Sequence, residues 1–279
     1  MRDNLDNIKN LLPEFNVKYF DEIDSTNNYA KNLIRENNNL NNLSRNKILI
    51  IADKQTAGRG RTGHSFISPS GTGVYLTLII EPVKNFQLVT IAAAVSVCLA
   101  LEKFIDLNNK AAKIKWVNDI FICDKLTRSS KKVCGILAEA VNGRDNKISK
   151  IIVGIGVNIW PYKFEDLNLS RAGSVFDEVN NNNNNKITRA EIAAEIVKNL
   201  AGFAEDLDSP EVINNYKSRI IFNTAFHSGN ISYIYNSQKF FGRVIDIDKT
   251  GGLVIKDFNN NLITLRSGEV FEIRESDSN

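Results

Sequence analysis

The sequence predicts an α+β domain followed by a small antiparallel β-barrel. Two observations carry this prediction. Up to about residue 220, short β-branched and aromatic runs alternate with long apolar helical segments. After about Phe222 the pattern changes to three or four short alternating segments separated by turns, which is typical of a small barrel. The 279 residues therefore divide into two predicted domains, residues 1–220 and residues 221–279.

The elements of the larger domain follow from their apolar patterns. A helix is predicted directly after Asp24 or Ser25, either of which would cap it. A buried, alanine-rich helix is predicted over Phe86–Phe104, and a third helix opens at the capping box of Thr188 and Glu191. The predicted strands are Lys47–Ala52, Val74–Ile80, Ile114–Trp116, Ile120–Cys123, Val133–Val141 and Ile151–Ile159, the last two adjacent and antiparallel.

The predicted barrel strands are short and separated by glycine or asparagine turns. They are Ile231–Tyr235, Phe240–Ile247, Leu253–Asp257 and Leu262–Arg266. Two asparagine-rich tracts, Asn37–Asn42 and Asn180–Asn185, can bury little apolar surface, so we expect them to form exposed loops.

Composition and charge exclude several classes of protein. Apolar residues make up 43% and charged residues 24%, as in ordinary globular proteins, and the net charge of +3 is too small for a dedicated nucleic-acid binder.

The three cysteines and two histidines match no metal-ligand spacing, so free thiols in a reducing compartment are expected. The longest mostly apolar run, Leu88–Leu101, is shorter than the roughly 20 residues that span a bilayer. We expect a soluble, cytoplasmic protein with no membrane partner.

The glycine-rich loop Gly58–Gly73 carries the first chemical signal. Its first six residues, Gly58-Arg59-Gly60-Arg61-Thr62-Gly63, fit the pattern G-x-G-x-x-G after a predicted strand. A dinucleotide fold needs a helix directly after that pattern, because the helix N-terminus holds the pyrophosphate. Here more loop and then a strand follow, which argues against a dinucleotide site.

The two arginines of this loop indicate an anion site instead. Flanking glycines expose backbone N–H groups and let the chain approach a ligand, while guanidinium groups suit carboxylate and phosphate. On the loop alone, two other interpretations stay open. One is a solvated surface turn with incidental arginines, and the other is single-stranded nucleic-acid binding of the kind that RGG-like segments perform.

Further segments place polar groups at strand ends and at a helix start. With the glycine-rich loop they make five segments: Asp24-Ser25-Thr26-Asn27, Gln55-x-x-Gly58-Arg59-Gly60-Arg61-x-Gly63, Lys115-Trp116-x-Asn118-Asp119, Lys132-x-x-Gly135-Ile136-Leu137 and Gly154-x-Gly156-x-Asn158. In this order, the five segments together resemble the biotin–protein ligase family, the biotin–[acetyl-CoA-carboxylase] ligases. The resemblance runs from about residue 20 to the C-terminal end. It departs from the family at Phe66 and Val117, where Trp and Pro are usual.

The resemblance implies a fold and a reaction. The fold is a mixed, largely antiparallel sheet with packed helices, similar to class II aminoacyl-tRNA synthetases and biotin–lipoate ligases, plus an SH3-like barrel. In the reaction, biotin carboxylate attacks the α-phosphate of ATP, with Mg²⁺ bridging phosphate oxygens, to give biotinyl-5′-AMP and pyrophosphate. A lysine on the biotin carboxyl carrier domain of acetyl-CoA carboxylase or a related carboxylase then displaces AMP. The first step joins two anions, so it requires fixed cations.

The resemblance also assigns roles to individual residues. The implied biotin-binding residues are Ser25, Thr26, Asn27, Gln55, Arg59, Gly60, Arg61 and Lys132. The implied nucleotide-binding residues are Arg61, Phe66, Trp116, Asn118, Lys132 and Asn158. The implied catalytic residues are Arg59, Arg61, Lys132 and Asp119. Asp119 is the candidate for orienting or deprotonating the incoming lysine.

The glycine-rich loop is expected to be mobile without ligand and ordered with the adenylate. This expectation follows from its glycines and from repulsion between its unpaired arginines.

Simpler interpretations of the same residues remain. Asp24 or Ser25 could serve only as a helix cap, Trp116 only as a core residue and Asn118-Asp119 only as a turn. A lipoate–protein ligase of the same fold and a non-catalytic nucleic-acid-binding protein are the competing functions. About 20 residues precede the ligase-like region, too few for the DNA-binding domain of some family members, so no DNA partner is expected. The resemblance admits a homodimer.

Overall fold

The structure is a computed structural model that describes residues 5–36, 47–81, 83, 85–142, 148–164, 172–178, 187–222, 224–235, 238–266 and 270–272. The two asparagine-rich tracts, Asn37–Asn42 and Asn180–Asn185, lie outside these residues.

A seven-stranded sheet forms the centre of the protein. Its strands are β1 (Phe15–Ile23), β2 (Lys47–Gln55), β3 (Gly73–Ile80), β4 (Lys110–Lys115), β5 (Asp119–Asp124), β6 (Ser130–Asn142) and β7 (Ile148–Asn158), in the order β1-β2-β3-β7-β6-β5-β4. β1 and β2 are parallel, and each of the other neighbouring pairs is antiparallel. The mixed, largely antiparallel sheet is therefore confirmed. β1 was not predicted, because only its first residue, Phe15, is fully buried and its apolar alternation is weak.

Helices cover both faces of this sheet. The site helix (Thr26–Glu36) lies on one face, where Ala30 and Ile34 pack against buried isoleucines of β2, β3 and β7. The central helix (Phe86–Glu102) and the capped helix (Arg189–Glu205) lie on the other face. The central helix is apolar around its whole circumference, as expected for a helix buried between a sheet and other helices. Shorter helical segments are Leu5–Asn7, Ile8–Leu11 and Pro210–Arg219.

The capping box predicted for the capped helix is confirmed. The Thr188 hydroxyl accepts a hydrogen bond from the Glu191 amide at 3.2 Å, and the Glu191 carboxylate accepts one from the Thr188 amide at 2.9 Å. None of the helices in the described ranges is both long and apolar enough to cross a membrane.

A second sheet follows the helices and is antiparallel throughout. Its strands are β8 (Asn230–Tyr235), β9 (Gln238–Ile247), β10 (Leu253–Asp257), β11 (Leu262–Leu265) and β12 (Val270–Glu272), in the order β11-β10-β9-β8-β12. It is consistent with the expected SH3-like domain. The sheet contacts the larger part of the protein directly, since the Trp116 indole N–H donates to the Gly251 carbonyl at 3.0 Å.

Candidate active site

Glycines on β6 and β7 open space over one face of the central sheet. Gly135 pairs with Gly156, and Gly154 pairs with Thr77 and Leu137, so these residues share a face with the site helix. A Cβ at Gly156 would lie 2.5 Å from Cε1 of Phe66, and a Cβ at Gly154 would lie 2.2 Å from Oδ1 of Asn27. The bare backbone therefore allows an aromatic ring and an amide to lie directly on the sheet.

A small, partly open pocket lies over these glycines. It brings together four of the five segments that carried the resemblance. Its lining residues are Ser25, Thr26, Asn27, Gln55, Arg59, Phe66, Leu76, Gly135, Leu137, Gly154, Ile155 and Gly156. The fifth segment, around Asn118, reaches the same region through the hydrogen bonds of Arg61 described below.

One end of the pocket is a network of buried polar groups. The Thr26 amide and hydroxyl both donate to Oε1 of Gln55, at 2.9 and 3.1 Å, and Nε2 of Gln55 donates to the Ser68 hydroxyl at 2.9 Å. The Thr77 hydroxyl lies 2.8 Å from Oγ1 of Thr26 and 2.6 Å from Oδ1 of Asn27. These bonds fix the orientation of the amides, so the pocket presents a preformed set of donors and acceptors.

Ser25 caps the site helix and also lines the pocket, and its contact with a ligand stays a prediction. Its hydroxyl accepts a hydrogen bond from the Asn28 amide at 3.5 Å, as a helix cap does, and the residue is buried in the pocket wall. Capping and ligand contact are compatible because a serine oxygen can accept more than one hydrogen bond.

Arg59 lies at the pocket wall in contact with two elements. Its guanidinium donates to Oδ1 of Asn28 at 3.2 Å and lies 3.5 Å from Oε1 of Glu139. Glu139 also contacts Lys31, at 2.6 Å, and accepts from the Asn27 amide at 3.0 Å. Burial alone would raise the pKa of Glu139, but the hydrogen bonds from Lys31 and Asn27 and the charges of Lys31 and Arg59 outweigh burial and lower the pKa.

Arg61 belongs to a second cluster on β5 and β6. It donates to Oδ1 of Asn118 at 3.0 Å, and Nδ2 of Asn118 donates to the Ile136 carbonyl at 2.8 Å. The neighbouring Asp119 forms an ion pair with Lys132 at 2.7 Å. Both arginines of the loop therefore have polar partners in the protein, so the premise of two unpaired, mutually repelling arginines is wrong.

The loop that carries these arginines folds back on itself. The Gly60 amide donates to the His64 carbonyl at 2.6 Å, and the Phe66 amide donates to the Gly58 carbonyl at 2.8 Å. Gly58 has no room for a side chain, because a Cβ there would lie 2.3 Å from the Phe66 carbonyl oxygen. This compact arrangement lets one glycine-rich loop place Arg59 in the pocket wall and Arg61 on Asn118. Ordering of the loop by ligand stays a prediction.

An ion pair that the sequence did not reveal holds the far end of the loop. Asp53 on β2 lies 2.7 Å from Arg189, accepts from the Gly71 amide at 3.2 Å and also accepts from the Ser70 hydroxyl. Arg189 is 3% exposed and donates to the Gly73 carbonyl at 3.0 Å. The only local signal for Arg189 is its position in the first turn of the capped helix. A cation there is unfavourable because of the helix dipole, so an arginine at this position indicates an anionic partner elsewhere in the fold.

Trp116 and Asn158 are buried, and neither of them lines the pocket over the glycines. Trp116 is 4% exposed and belongs to the main core, and its peptide bond to Val117 is cis. The Asn158 amide donates to the Gly173 carbonyl at 3.1 Å, and the Gly173 amide donates to the Lys132 carbonyl at 2.9 Å. Gly173 thus links the Asn158 side chain to the backbone of Lys132 through two hydrogen bonds. Contact of either side chain with a nucleotide stays a prediction.

Comparison with known proteins decides the family. A family model described as the Biotin/lipoate A/B protein ligase family matches residues 19–158, which contain all five segments. The chain belongs to this family.

Across the described residues, no group of three or more His, Cys, Asp and Glu side chains is placed to hold a metal ion.

Two similar proteins are bifunctional ligase/repressors. The bifunctional ligase/repressor BirA of Bacillus subtilis is 35% identical over 153 residues, which cover 53% of this chain and 42% of that protein. BirA of Salmonella typhimurium is 28% identical over 282 residues, covering 95% of this chain and 78% of that protein. The chain thus spans less than half of the first relative and about three quarters of the second.

The fold is shared with a solved biotin ligase structure. The biotin protein ligase from Aquifex aeolicus, solved in complex with biotin and ATP, aligns with a TM-score of 0.67 and 23% identity, covering 93% of this chain and 99% of that one. The expected biotin–lipoate ligase architecture is therefore confirmed.

Proposed function

We propose that this protein is a biotin–protein ligase that activates biotin with ATP and transfers it to a lysine of a biotin carboxyl carrier domain. The observation that supports this best is that one glycine-rich loop carries two arginines, one in the wall of the pocket and one bonded next to a third cation. Arg59 lines the pocket, and Arg61 is hydrogen-bonded beside the ion pair of Lys132. Relatives named as biotin–[acetyl-CoA-carboxylase] ligases, from Paracoccus denitrificans and Mycobacterium tuberculosis, support the choice of acceptor.

Biotin would bind with its head group at the polar end of the pocket. Ser25, Thr26, Asn27 and Gln55 line that end, and their amides and hydroxyls suit a small neutral ring that both donates and accepts hydrogen bonds. The ring of Phe66, which rests on the glycine face, would pack against the apolar part of the ligand. A lipoate head group has no hydrogen-bond donors, so it could not use the acceptor oxygens that these side chains offer, which favours biotin.

The cations would then join the two anionic reactants. The carboxylate of biotin and the α-phosphate of ATP repel each other, and the attack adds negative charge at the phosphate. Arg59 and Arg61 would bind the carboxylate and phosphate oxygens, and Lys132 would stabilise the charge that develops. Holding two substrates in attack geometry supplies much of the rate, up to about 7–11 kcal/mol in favourable cases.

The nucleotide would lie toward β5 and the end of β7. Asn118 and Asn158 are the amide side chains near Lys132, and Asp119 would orient or deprotonate the acceptor lysine once the adenylate has formed. We propose that Mg²⁺ enters as the complex with ATP, held by phosphate oxygens.

A homodimer is part of the same proposal. Sedimentation of the purified protein would measure its oligomeric state.

The decisive experiment measures adenylate directly. Purified protein with biotin and Mg-ATP should exchange radiolabelled pyrophosphate into ATP and yield bound biotinyl-AMP by mass spectrometry, whereas lipoate in place of biotin should give neither. Arg59→Ala combined with Arg61→Ala should slow biotin attachment to a carrier domain at least about 100-fold, because two charge-assisted contacts are lost.

A matched control removes an arginine elsewhere. Arg35→Ala, at an exposed position near the end of the site helix, should retain full activity. Normal attachment by the double-alanine variant, or exchange with lipoate alone, would overturn the proposal.

A further inference from the structure

Two cationic side chains share a single carboxylate oxygen at the edge of the pocket. Oε1 of Glu139 lies 2.6 Å from Nζ of Lys31 and 3.5 Å from the guanidinium of Arg59. Glu139 is on β6, Lys31 is on the site helix, and Arg59 is on the glycine-rich loop. The carboxylate therefore joins three separate elements at the point where the loop meets the pocket.

The carboxylate of Glu139 is well placed to hold a cation. Lys31 and Glu139 are each only 19% exposed, so solvent screens their interaction less than at an open surface. The other oxygen, Oε2, accepts from the Asn27 amide at 3.0 Å, which fixes the carboxylate plane. Its orientation is thus set by the sheet and the site helix, and not by Arg59, whose side chain is more exposed at 41%.

The cluster carries an excess positive charge. Two cations face one anion, so Lys31 neutralises Glu139 while Arg59 keeps much of its charge available to a ligand. An arginine that was fully neutralised by its own carboxylate would bind a second anion weakly. A shared carboxylate can instead orient the guanidinium without cancelling its charge.

Orientation matters because Arg59 has a long, flexible side chain. A free arginine loses its rotamer freedom when a ligand orders it, and that loss weakens binding. The contacts with Glu139 and Asn28 place Arg59 at the pocket wall before any ligand arrives. A prepositioned arginine loses less freedom on binding, which raises the affinity for the substrate that it contacts.

We propose that Glu139 is a positioning residue for Arg59, with Lys31 holding Glu139 in place. This inference rests on the proposed function, in which Arg59 binds the biotin carboxylate. It assigns to Glu139 and Lys31 a part in biotin affinity, although neither of them is among the residues that line the pocket.

The test is a double-mutant cycle between Glu139 and Arg59. Glu139→Gln keeps the size of the side chain and one acceptor oxygen but removes its charge and replaces the other oxygen with an amide donor. In the wild-type background, this variant should raise the KM for biotin about twofold to tenfold and leave kcat within about twofold. In an Arg59→Ala background, the same change should leave the KM for biotin unaltered, because its effect passes through Arg59.

Two further variants secure the interpretation. Glu22→Gln neutralises an exposed glutamate on β1 that pairs with Lys54 at 2.8 Å, so it should leave the KM for biotin unchanged. Glu139→Asp keeps the charge but draws the carboxylate back by one methylene group, so its KM should lie between those of wild type and Glu139→Gln. If Glu139→Gln does not fold, the Asp variant is taken through the same cycle.

The outcomes separate this inference from the proposed function. An unchanged or lowered KM in Glu139→Gln, or an equal rise with and without Arg59, overturns the positioning role while the biotin ligase activity of the wild type stands. Absence of any biotin-dependent pyrophosphate exchange by the wild type overturns the proposed function and the inference with it.

Discussion

Nζ of Lys132 lies 2.7 Å from Oδ1 of Asp119, on the neighbouring strands β6 and β5. The cation proposed for the first chemical step and the carboxylate proposed for the second are therefore one ion pair. A phosphate that attracts Lys132 would leave the Asp119 carboxylate free to accept a hydrogen bond from an amine. The pairing thus suggests an order in which adenylate formation prepares the site for transfer.

Asp119→Asn should separate the two steps. Asparagine keeps a hydrogen-bond acceptor near Lys132 but cannot take a proton, so transfer to a carrier lysine should slow about 100-fold or more. Adenylate formation should change by less than about tenfold, since the cations remain. Single-turnover measurements of each step provide the check. Wild-type rates in both steps would show that Asp119 has no such role.

Two facing glycines should differ in their tolerance of a methyl group. A Cβ at Gly156 would lie 2.5 Å from the Phe66 ring, whereas a Cβ at Gly135 would lie 3.4 Å from the same ring. We expect Gly156→Ala to lower the free energy of unfolding by about 1–3 kcal/mol through overpacking, and Gly135→Ala to cost clearly less. Urea unfolding of both variants measures this difference.

Removing the ring should then relieve the clash. Phe66→Ala combined with Gly156→Ala should be more stable than the sum of the two single changes predicts, because the added methyl group no longer meets the ring. Equal losses at the two glycines, or strict additivity with Phe66→Ala, would contradict the packing of Phe66 on the glycine face.

The ion pair of Asp53 and Arg189 should make stability depend on acid pH. Burial tends to raise the pKa of Asp53, but hydrogen bonds from Ser70 and Arg189 and the charge of Arg189 prevail and hold it below the usual value. A lowered folded-state pKa means that the carboxylate stabilises the fold above its unfolded pKa, about 3.9, and loses this contribution as pH falls through the folded value.

Asp53→Asn should therefore be less stable than wild type at pH 7, by about 1–3 kcal/mol, because the buried Arg189 loses its charged partner. The difference should shrink as the pH falls below about 4. Urea unfolding at pH 7 and pH 3 measures it, with Glu22→Gln as the exposed control. A difference that stays constant with pH would show that the charge of Asp53 does not matter.

The three cysteine thiols should be unreactive in the folded protein. Cys98, Cys123 and Cys134 are all buried and unpaired with one another. Burial raises the pKa of Cys123 to about 12 and raises the pKa values of Cys98 and Cys134 well above the ordinary thiol value, so almost no thiolate exists near pH 8. A thiol reagent should label none within minutes in buffer and all three in guanidinium chloride. One rapidly reacting thiol in buffer would refute this expectation.

Most of the site segments were visible in the sequence because their signals are local. The capping box at Thr188, the glycine pattern after β2 and the order of the five segments each depend on residues close together in the chain. The helix and strand periods also indicated the change from the larger domain to the second sheet. The partners of Arg59 and Arg61 were not visible, and the expectation that these arginines were unpaired was wrong for that reason.

The sequence by itself therefore determined the kinds of elements, the family and the residue types that the chemistry needs. Only the tertiary structure decided that Glu139 meets Arg59, that Asp53 meets Arg189 and that Trp116 meets Gly251. These pairs are 80 to 136 residues apart in the chain. Their contacts depend on strand order and register, which arise from packing the whole core. Hydrophobic periodicity within a single segment does not predict these contacts.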